Sequence, residues 1–168
     1  MIKTLNIFGS TGIIGTKCLK IIKDYFPEIK INLLVANNNY KKLVKQNNIY
    51  QPDYIYLNNK SKYKNLKTIL KNNKVKVLSN DEIFNYLIET KSDLTILSIS
   101  GYSSLNFIKS IIINTKNLGI VNKECIVAGG YIIKKLCALY NTKLYALDSE
   151  HFSIQNYFQN QKKINYDN

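Results

Sequence analysis

The sequence predicts an α/β domain of the doubly wound type, a mostly parallel sheet with helices on both faces. Three observations lead there. Apolar runs of strand length alternate with segments of helical period along the chain. A glycine-rich turn, Gly9-Ser10-Thr11-Gly12-Ile13-Ile14-Gly15, lies directly between the first such run and the first helical segment. The most distinctive polar groups then fall at the ends of the strand-like runs, where a sheet of this type receives ligands.

Strands are expected at residues 5–8, 31–35, 54–57, 75–78, 94–99, 118–121 and 144–147, each short, apolar and bounded by polar or turn-forming residues. Helices are expected between them at 13–25, 40–47, 63–71, 81–88, 104–113 and 124–139. In the first helix, Ile14, Cys18, Ile21 and Ile22 follow the spacing of a buried face. Ser79, Asn80, Asp81 and Glu82 are cap-type residues ahead of Ile83 and Phe84, which marks a helix start. No internal repeat is visible, and low-complexity stretches are confined to short Asn/Lys patches.

Composition excludes several classes. The 168 residues carry a net charge of +13, yet all 24 basic residues are Lys and none is Arg. Base readout and bidentate phosphate recognition lean on Arg, and the denser Lys stretch over residues 60–76 reads as a solvated helix face. A nucleic-acid partner is therefore not expected, although the charge can attract anionic ligands over a distance. No apolar run approaches the ~18 residues of a membrane span. The first strand begins almost at once, which leaves no room for a leader peptide. Cys18, Cys125 and Cys137 are odd in number and lack C-x-x-C spacing, so reduced thiols in the cytoplasm are expected.

The chemistry gathers at the strand ends. In the glycine turn, Gly9 can give the sharp bend, Gly12 a close backbone approach and Gly15 tight packing of the helix on the sheet, so that unpaired N–H groups at the helix start can cradle a phosphate. Its G-x-x-G-x-x-G spacing is one residue looser than the commonest dinucleotide fingerprint, and a plain glycine turn is the alternative. After the second strand come Asn37, Asn38 and Asn39, then Lys41 and Lys42, with no carboxylate to bind a ribose 2′-hydroxyl or repel a 2′-phosphate. That favours NADP over NAD; an ordinary polar loop is the alternative. Asn122, Lys123 and Glu124 open a helix after a strand. Asp148 and Glu150 are separated by one residue, and in an extended segment they would project to one side as two oxygen ligands for a hard divalent cation. Taken by themselves, those residues read more readily as an acidic loop or helix cap.

The glycine turn, the Asn-Lys-Glu tripeptide and Asp148-Ser149-Glu150-His151, in this order, resemble the 1-deoxy-D-xylulose-5-phosphate reductoisomerase family. The resemblance runs from about Leu5 to Phe158. It implies a Rossmann-like NADPH-binding domain over residues 1–147 and the beginning of a metal-binding catalytic domain over 148–168. The implied reaction isomerises 1-deoxy-D-xylulose 5-phosphate and reduces the product with NADPH to 2-C-methyl-D-erythritol 4-phosphate, in non-mevalonate isoprenoid synthesis. By position, Thr11, Gly12, Ile13 and Ile14 would hold the cofactor pyrophosphate, and Asn37, Asn38 and Asn39 would lie by the 2′-phosphate. Asn122 and Glu124 would touch the cofactor, with Lys123 and Ser149 on the phosphosugar substrate as catalytic residues. Asp148 and Glu150 would bind the cation, Mn²⁺, Mg²⁺ or Co²⁺. The family implies a homodimer.

The chain departs from the family pattern at two places. Ile13 stands where the family usually has Ser, and Asn37-Asn38-Asn39 stands for Gly-Lys-Asn, so a Lys that would pair with the 2′-phosphate is missing. The family's third carboxylate ligand, phosphate grip, flap and helical C-terminal domain are not found in these 168 residues. Little or no turnover is expected of this chain by itself, and a non-catalytic dinucleotide-binding module or the relic of a decayed gene is the alternative. Phe152, Ile154, Tyr157 and Phe158 are expected to lack a full partner surface.

Overall fold

Among the described residues, seven strands, all parallel, form one sheet in the order β4-β3-β2-β1-β5-β6-β7. The computed structural model describes residues 1–161; the last part of the expected second segment, residues 162–168, lies outside the described residues. The strands are β1 (Thr4–Phe8), β2 (Lys30–Ala36), β3 (Tyr54–Leu57), β4 (Lys76–Leu78), β5 (Ser92–Leu97), β6 (Thr115–Ile120) and β7 (Lys143–Ala146). The helices are α1 (Ile13–Tyr25), α2 (Tyr40–Tyr50), α3 (Lys60–Ile69), α4 (Asn80–Glu89), α5 (Leu105–Ile113), α6 (Lys123–Leu139) and α7 (Ser149–Gln161). A short 3₁₀ turn, Tyr102–Ser104, precedes α5.

Alternation along each strand builds two cores. Leu5 and Ile7 of β1, with Leu34 and Ala36 of β2, pack with Leu19 of α1, Leu43 of α2 and Leu66 of α3 on one face. Phe8, Leu33 and Val35 point the other way, joining Ile83 of α4, Phe107 and Ile111 of α5 and Ile133 of α6. Both faces are covered, so the central strands are apolar along most of their length, with Asn6, Asn32 and Thr95 buried among them. The sheet grows outward from β1 through β4, then returns to start again on the other side of β1 with β5. This reversal between β1 and β5 is the switch point at which such folds open a crevice.

Local chemistry sets the boundaries. Asn39, Asn59, Ser79 and Asn122 cap α2, α3, α4 and α6 through their side-chain oxygens. Ser79 and Glu82 form a reciprocal capping box. Polar residues extend β5 and β6 beyond the expected limits at their amino ends, because the Thr95 and Thr115 hydroxyls pair at 2.7 Å inside the sheet. The buried face of α1 differs from the one its spacing predicts. Gly15 and Leu19 are buried and Cys18 and Ile22 partly so, while Ile14 and Ile21 are exposed. Gly15 is pressed onto the preceding loop, and that contact fixes the rotation of the helix. The segment from Ser149 onward is a helix and not the extended continuation of β7.

Candidate functional site

The loop after β1 is shaped by two glycines. Gly9 sits at φ +82°, and a Cβ there would lie 2.5 Å from the Ser98 carbonyl oxygen at the end of β5. A Cβ on Gly15 would lie 2.3 Å from the Gly9 carbonyl oxygen. Both obstacles are backbone, so no side chain can be accommodated without moving the loop. Gly15 thus packs on the turn rather than on the sheet. Ser10 is fully buried; its hydroxyl donates to Gln46 Oε1 at 2.9 Å, and Gln46 Nε2 donates back to the Ser10 carbonyl at 2.8 Å. The N–H groups of Gly9 and Ser10 bond the Val35 carbonyl at the end of β2.

With those donors engaged, the helix start faces outward unpaired. Gly12 caps α1 with no side-chain hydrogen bond, and Thr16 N–H is the first to find an intrahelical carbonyl. Among the described residues, the N–H groups of Ile13, Ile14 and Gly15 therefore have no backbone acceptor. The first turn carries no acidic residue, which leaves its dipole open to an anion. Thr11 and Gly12 line a cleft of about 700 Å³ at the switch point, together with Asn37, Asn58, Ser98 and Phe84. That volume suits a dinucleotide-sized ligand lying partly in solvent.

The asparagine loop forms the next part of the rim. Asn37 Oδ1 accepts from Asn58 at 3.1 Å, and Asn38 Oδ1 accepts from Asn59 at 2.9 Å. Asn39 Oδ1 is occupied by the Lys42 N–H as the cap of α2. All three are exposed. Lys42 reaches back across the cleft edge to donate to the Thr11 carbonyl at 2.9 Å.

On the other side of the switch point the polar residues lock loops together. Asn122 is buried: Oδ1 accepts from Cys125 N–H, and Nδ2 donates to the carbonyls of Ile99 and Gly101 at 2.6 and 2.7 Å. Its side chain holds the β5 and β6 loops, whereas Glu124 lies exposed on the first turn of α6. Lys123 bonds Glu150 Oε1 at 2.8 Å, and Ser149 donates to Glu150 Oε2 at 2.8 Å. The Lys123 ammonium and the Ser149 hydroxyl hold the Glu150 carboxyl down at about 2.

Asp148 closes the row. Its Oδ1 caps α7 by accepting from His151 N–H at 2.9 Å and contacts His151 Nδ1 at 2.7 Å. Its Oδ2 is buried with no hydrogen-bond partner. An orphaned carboxylate oxygen is costly in a protein interior and is the kind of atom a cation satisfies. Because Ser149 begins a helix, Asp148 and Glu150 do not share the side of an extended strand; Glu150 instead leans back onto Lys123. Among the described residues no group of three or more His, Cys, Asp and Glu side chains is assembled for a metal. Of the functional groups at this rim, Asn58, Gln46 and the locking role of Asn122 gave no local signal in the sequence.

A family model described as 1-deoxy-D-xylulose 5-phosphate reductoisomerase matches residues 5–130. The chain is 41% identical over 167 residues to the enzyme of that name from Pelagibacter ubique, covering 98% of this chain and 43% of the relative. It is 33% identical over 155 residues to that from Phocaeicola vulgatus, covering 92% of this chain and 41% of the relative. The Zymomonas mobilis enzyme, solved in complex with NADPH, superposes with a TM-score of 0.81 at 26% identity, over 90% of this chain and 40% of that one. The chain thus spans about two-fifths of the length of these relatives.

Proposed function

Because the chain belongs to the 1-deoxy-D-xylulose 5-phosphate reductoisomerase family, we propose that it is the NADPH-binding part of such an enzyme. The observation that carries this reading is the phosphate cradle: a locked loop, three unpaired N–H groups and a cleft at the β1/β5 switch point. Thr11, Gly12, Ile13 and Ile14 would hold the pyrophosphate by backbone, which needs no hydroxyl at Ile13. The exposed amides of Asn37, Asn38 and Asn39 would face the adenosine ribose, while Glu124 and the loops fixed by Asn122 would border the nicotinamide end.

The nicotinamide cofactor supplies a hydride when bound. A divalent cation, Mn²⁺, Mg²⁺ or Co²⁺, would supply Lewis-acid stabilisation of charge on the substrate's ketone and hydroxyl oxygens. Asp148 and Glu150 fit such a cation as partial ligands, since Asp148 Oδ2 is orphaned and Glu150 is ionised over the neutral range. Lys123 and Ser149 now engage Glu150, so both would have to turn from it to meet a phosphosugar. Two carboxylates do not complete an oxygen shell, so turnover by this chain alone is not expected. Residues 1–147 are the proposed cofactor domain and 148–168 the start of the catalytic one, with a homodimeric assembly and a cytoplasmic location. The buried Cys125 and Cys137 and the half-buried Cys18, all free thiols, suit a reducing compartment.

The test is NADPH oxidation with 1-deoxy-D-xylulose 5-phosphate and Mn²⁺, run with the chain alone and with the remaining portion of the Pelagibacter enzyme added as a separate polypeptide. Activity only in the mixture is the expected result. NADPH binding without turnover in either case would favour a non-catalytic binding module.

A further inference from the structure

We propose that Lys42 is the residue that selects a dinucleotide carrying a 2′-phosphate, a deepening that rests on the dinucleotide reading above. Its placement is the first argument. In this fold the adenosine ribose lies beyond the end of β2, and Lys42 stands in the first turn of α2, directly after the asparagine loop that ends β2. Both ends of the residue are fixed. Its N–H is held by Asn39 Oδ1 at 3.0 Å, and its ammonium by the Thr11 carbonyl at 2.9 Å.

The charge balance is the second argument. An ammonium has three donors, and the Thr11 carbonyl takes one, leaving two for phosphate oxygens. No Asp or Glu occurs between Glu28 and Asp53, so nothing from β2, the asparagine loop or α2 competes for that charge. The neighbouring Asn37 and Asn38 turn their side-chain oxygens onto Asn58 and Asn59. They remain neutral, leaving Lys42 as the anchored cation between the pyrophosphate cradle and the ribose. The side chain of Lys41, one residue earlier, makes no hydrogen bond or ion pair among the described residues.

This arrangement joins specificity to loop geometry. Lys42 ties the carbonyl of Thr11, whose loop carries the pyrophosphate donors, to the helix that faces the ribose. A 2′-phosphate would close a bridge from the ribose through the ammonium to that loop.

The test titrates NADPH and NADH separately onto the full chain by cofactor fluorescence, for wild type and for Lys42→Met, Lys42→Arg and Lys41→Met. Lys42→Met should weaken NADPH by about 10–100-fold, the scale of a lost charge-assisted hydrogen bond, and NADH by less than about twofold. Lys42→Arg should recover most of the NADPH affinity. Lys41→Met removes the same charge without the anchored contact and should move NADPH by less than about threefold. Equal loss for both dinucleotides in Lys42→Met, or equal effects of Lys41→Met and Lys42→Met, would overturn the assignment. Wild-type chain that binds neither dinucleotide would overturn the dinucleotide reading itself. Urea unfolding of each variant separates loss of affinity from loss of fold.

Discussion

Replacing Gln46 with Leu removes the lock on the phosphate loop while nearly preserving volume. Gln46 is 4% exposed and Ser10 fully buried, so both of their mutual hydrogen bonds lie out of water. The Ser10 carbonyl keeps only a 3.3 Å contact with the Thr16 hydroxyl, whose single proton also serves the Gly12 carbonyl at 2.6 Å, and the Ser10 hydroxyl is left with no acceptor. A buried orphan of this kind costs about 1–3 kcal/mol. Leu buries slightly more apolar surface, so a net loss of about 1–2.5 kcal/mol is expected from Gln46→Leu. Ser10→Ala alone should cost a similar amount, because it strands Gln46 Oε1. The double variant removes the orphan, so its loss should fall short of the sum of the singles by about 1–2 kcal/mol. Urea unfolding followed by far-UV circular dichroism measures all three. NADPH affinity should fall about fivefold in Gln46→Leu if loop preorganisation contributes about 1 kcal/mol. Strict additivity, or a Gln46→Leu variant within about 0.5 kcal/mol of wild type, would refute the idea that this pair holds the loop.

Gly15→Ala would drive a methyl group into the Gly9 carbonyl and Ser10 Cα, both backbone; a loss of about 2–3 kcal/mol and abolished NADPH binding are expected, by urea unfolding and fluorescence titration. Asn122→Ala strands two carbonyls and uncaps α6, so thermal and urea unfolding should report about 2–3 kcal/mol of lost stability. Asp93 accepts from Lys116 Nζ and the N–H groups of Lys3 and Thr4, which hold its carboxyl at about 2, below its ordinary 3.8. Its stabilisation is present above pH ~3.8 and is lost as pH falls through the folded value near 2. Discounted for the exposed Lys116, the effect is about 1 kcal/mol, and Asp93→Asn should flatten stability between pH 4 and 2 by that amount.

The fold was legible because period and punctuation agree at most boundaries. β1, the glycine turn and α1 follow from a short run of mainly apolar residues at 5–8, three glycines and a helical repeat. α4 follows from Ser79 and Glu82, whose reciprocal bonds are a local matter. Legibility failed where the deciding contact was distant. Ile14 has the spacing of a buried residue, yet the close approach of Gly15 to Gly9 turns α1 so that Ile14 faces solvent. Thr115 and Asn117 look too polar for a sheet interior, and enter β6 because Thr95 and the Asp93 carbonyl satisfy them. Asp148 and Glu150 read as a pair on an extended segment. A cap residue followed by an acid also spells a helix start, and Asp148 bonding His151 N–H shows which pattern won.

The polar rim was legible only in part. Asn37, Asn122 and Asp148 stand out because they end strands in a fold that binds ligands there. Their bonding partners do not. Gln46 lies 36 residues from Ser10, and Lys42 lies 31 from Thr11, so these pairs exist only once the sheet is built.

The central claim is that the start of α1 and the asparagine loop together hold the cofactor's phosphates. Amide chemical shifts of the isotope-labelled chain, followed during NADPH titration, test it most directly. The account predicts saturable shifts that are largest at Ile13, Ile14 and Gly15, with a second group at Asn38, Asn39 and Lys42. Shifts absent there, or concentrated on α3 and its lysines, would contradict it.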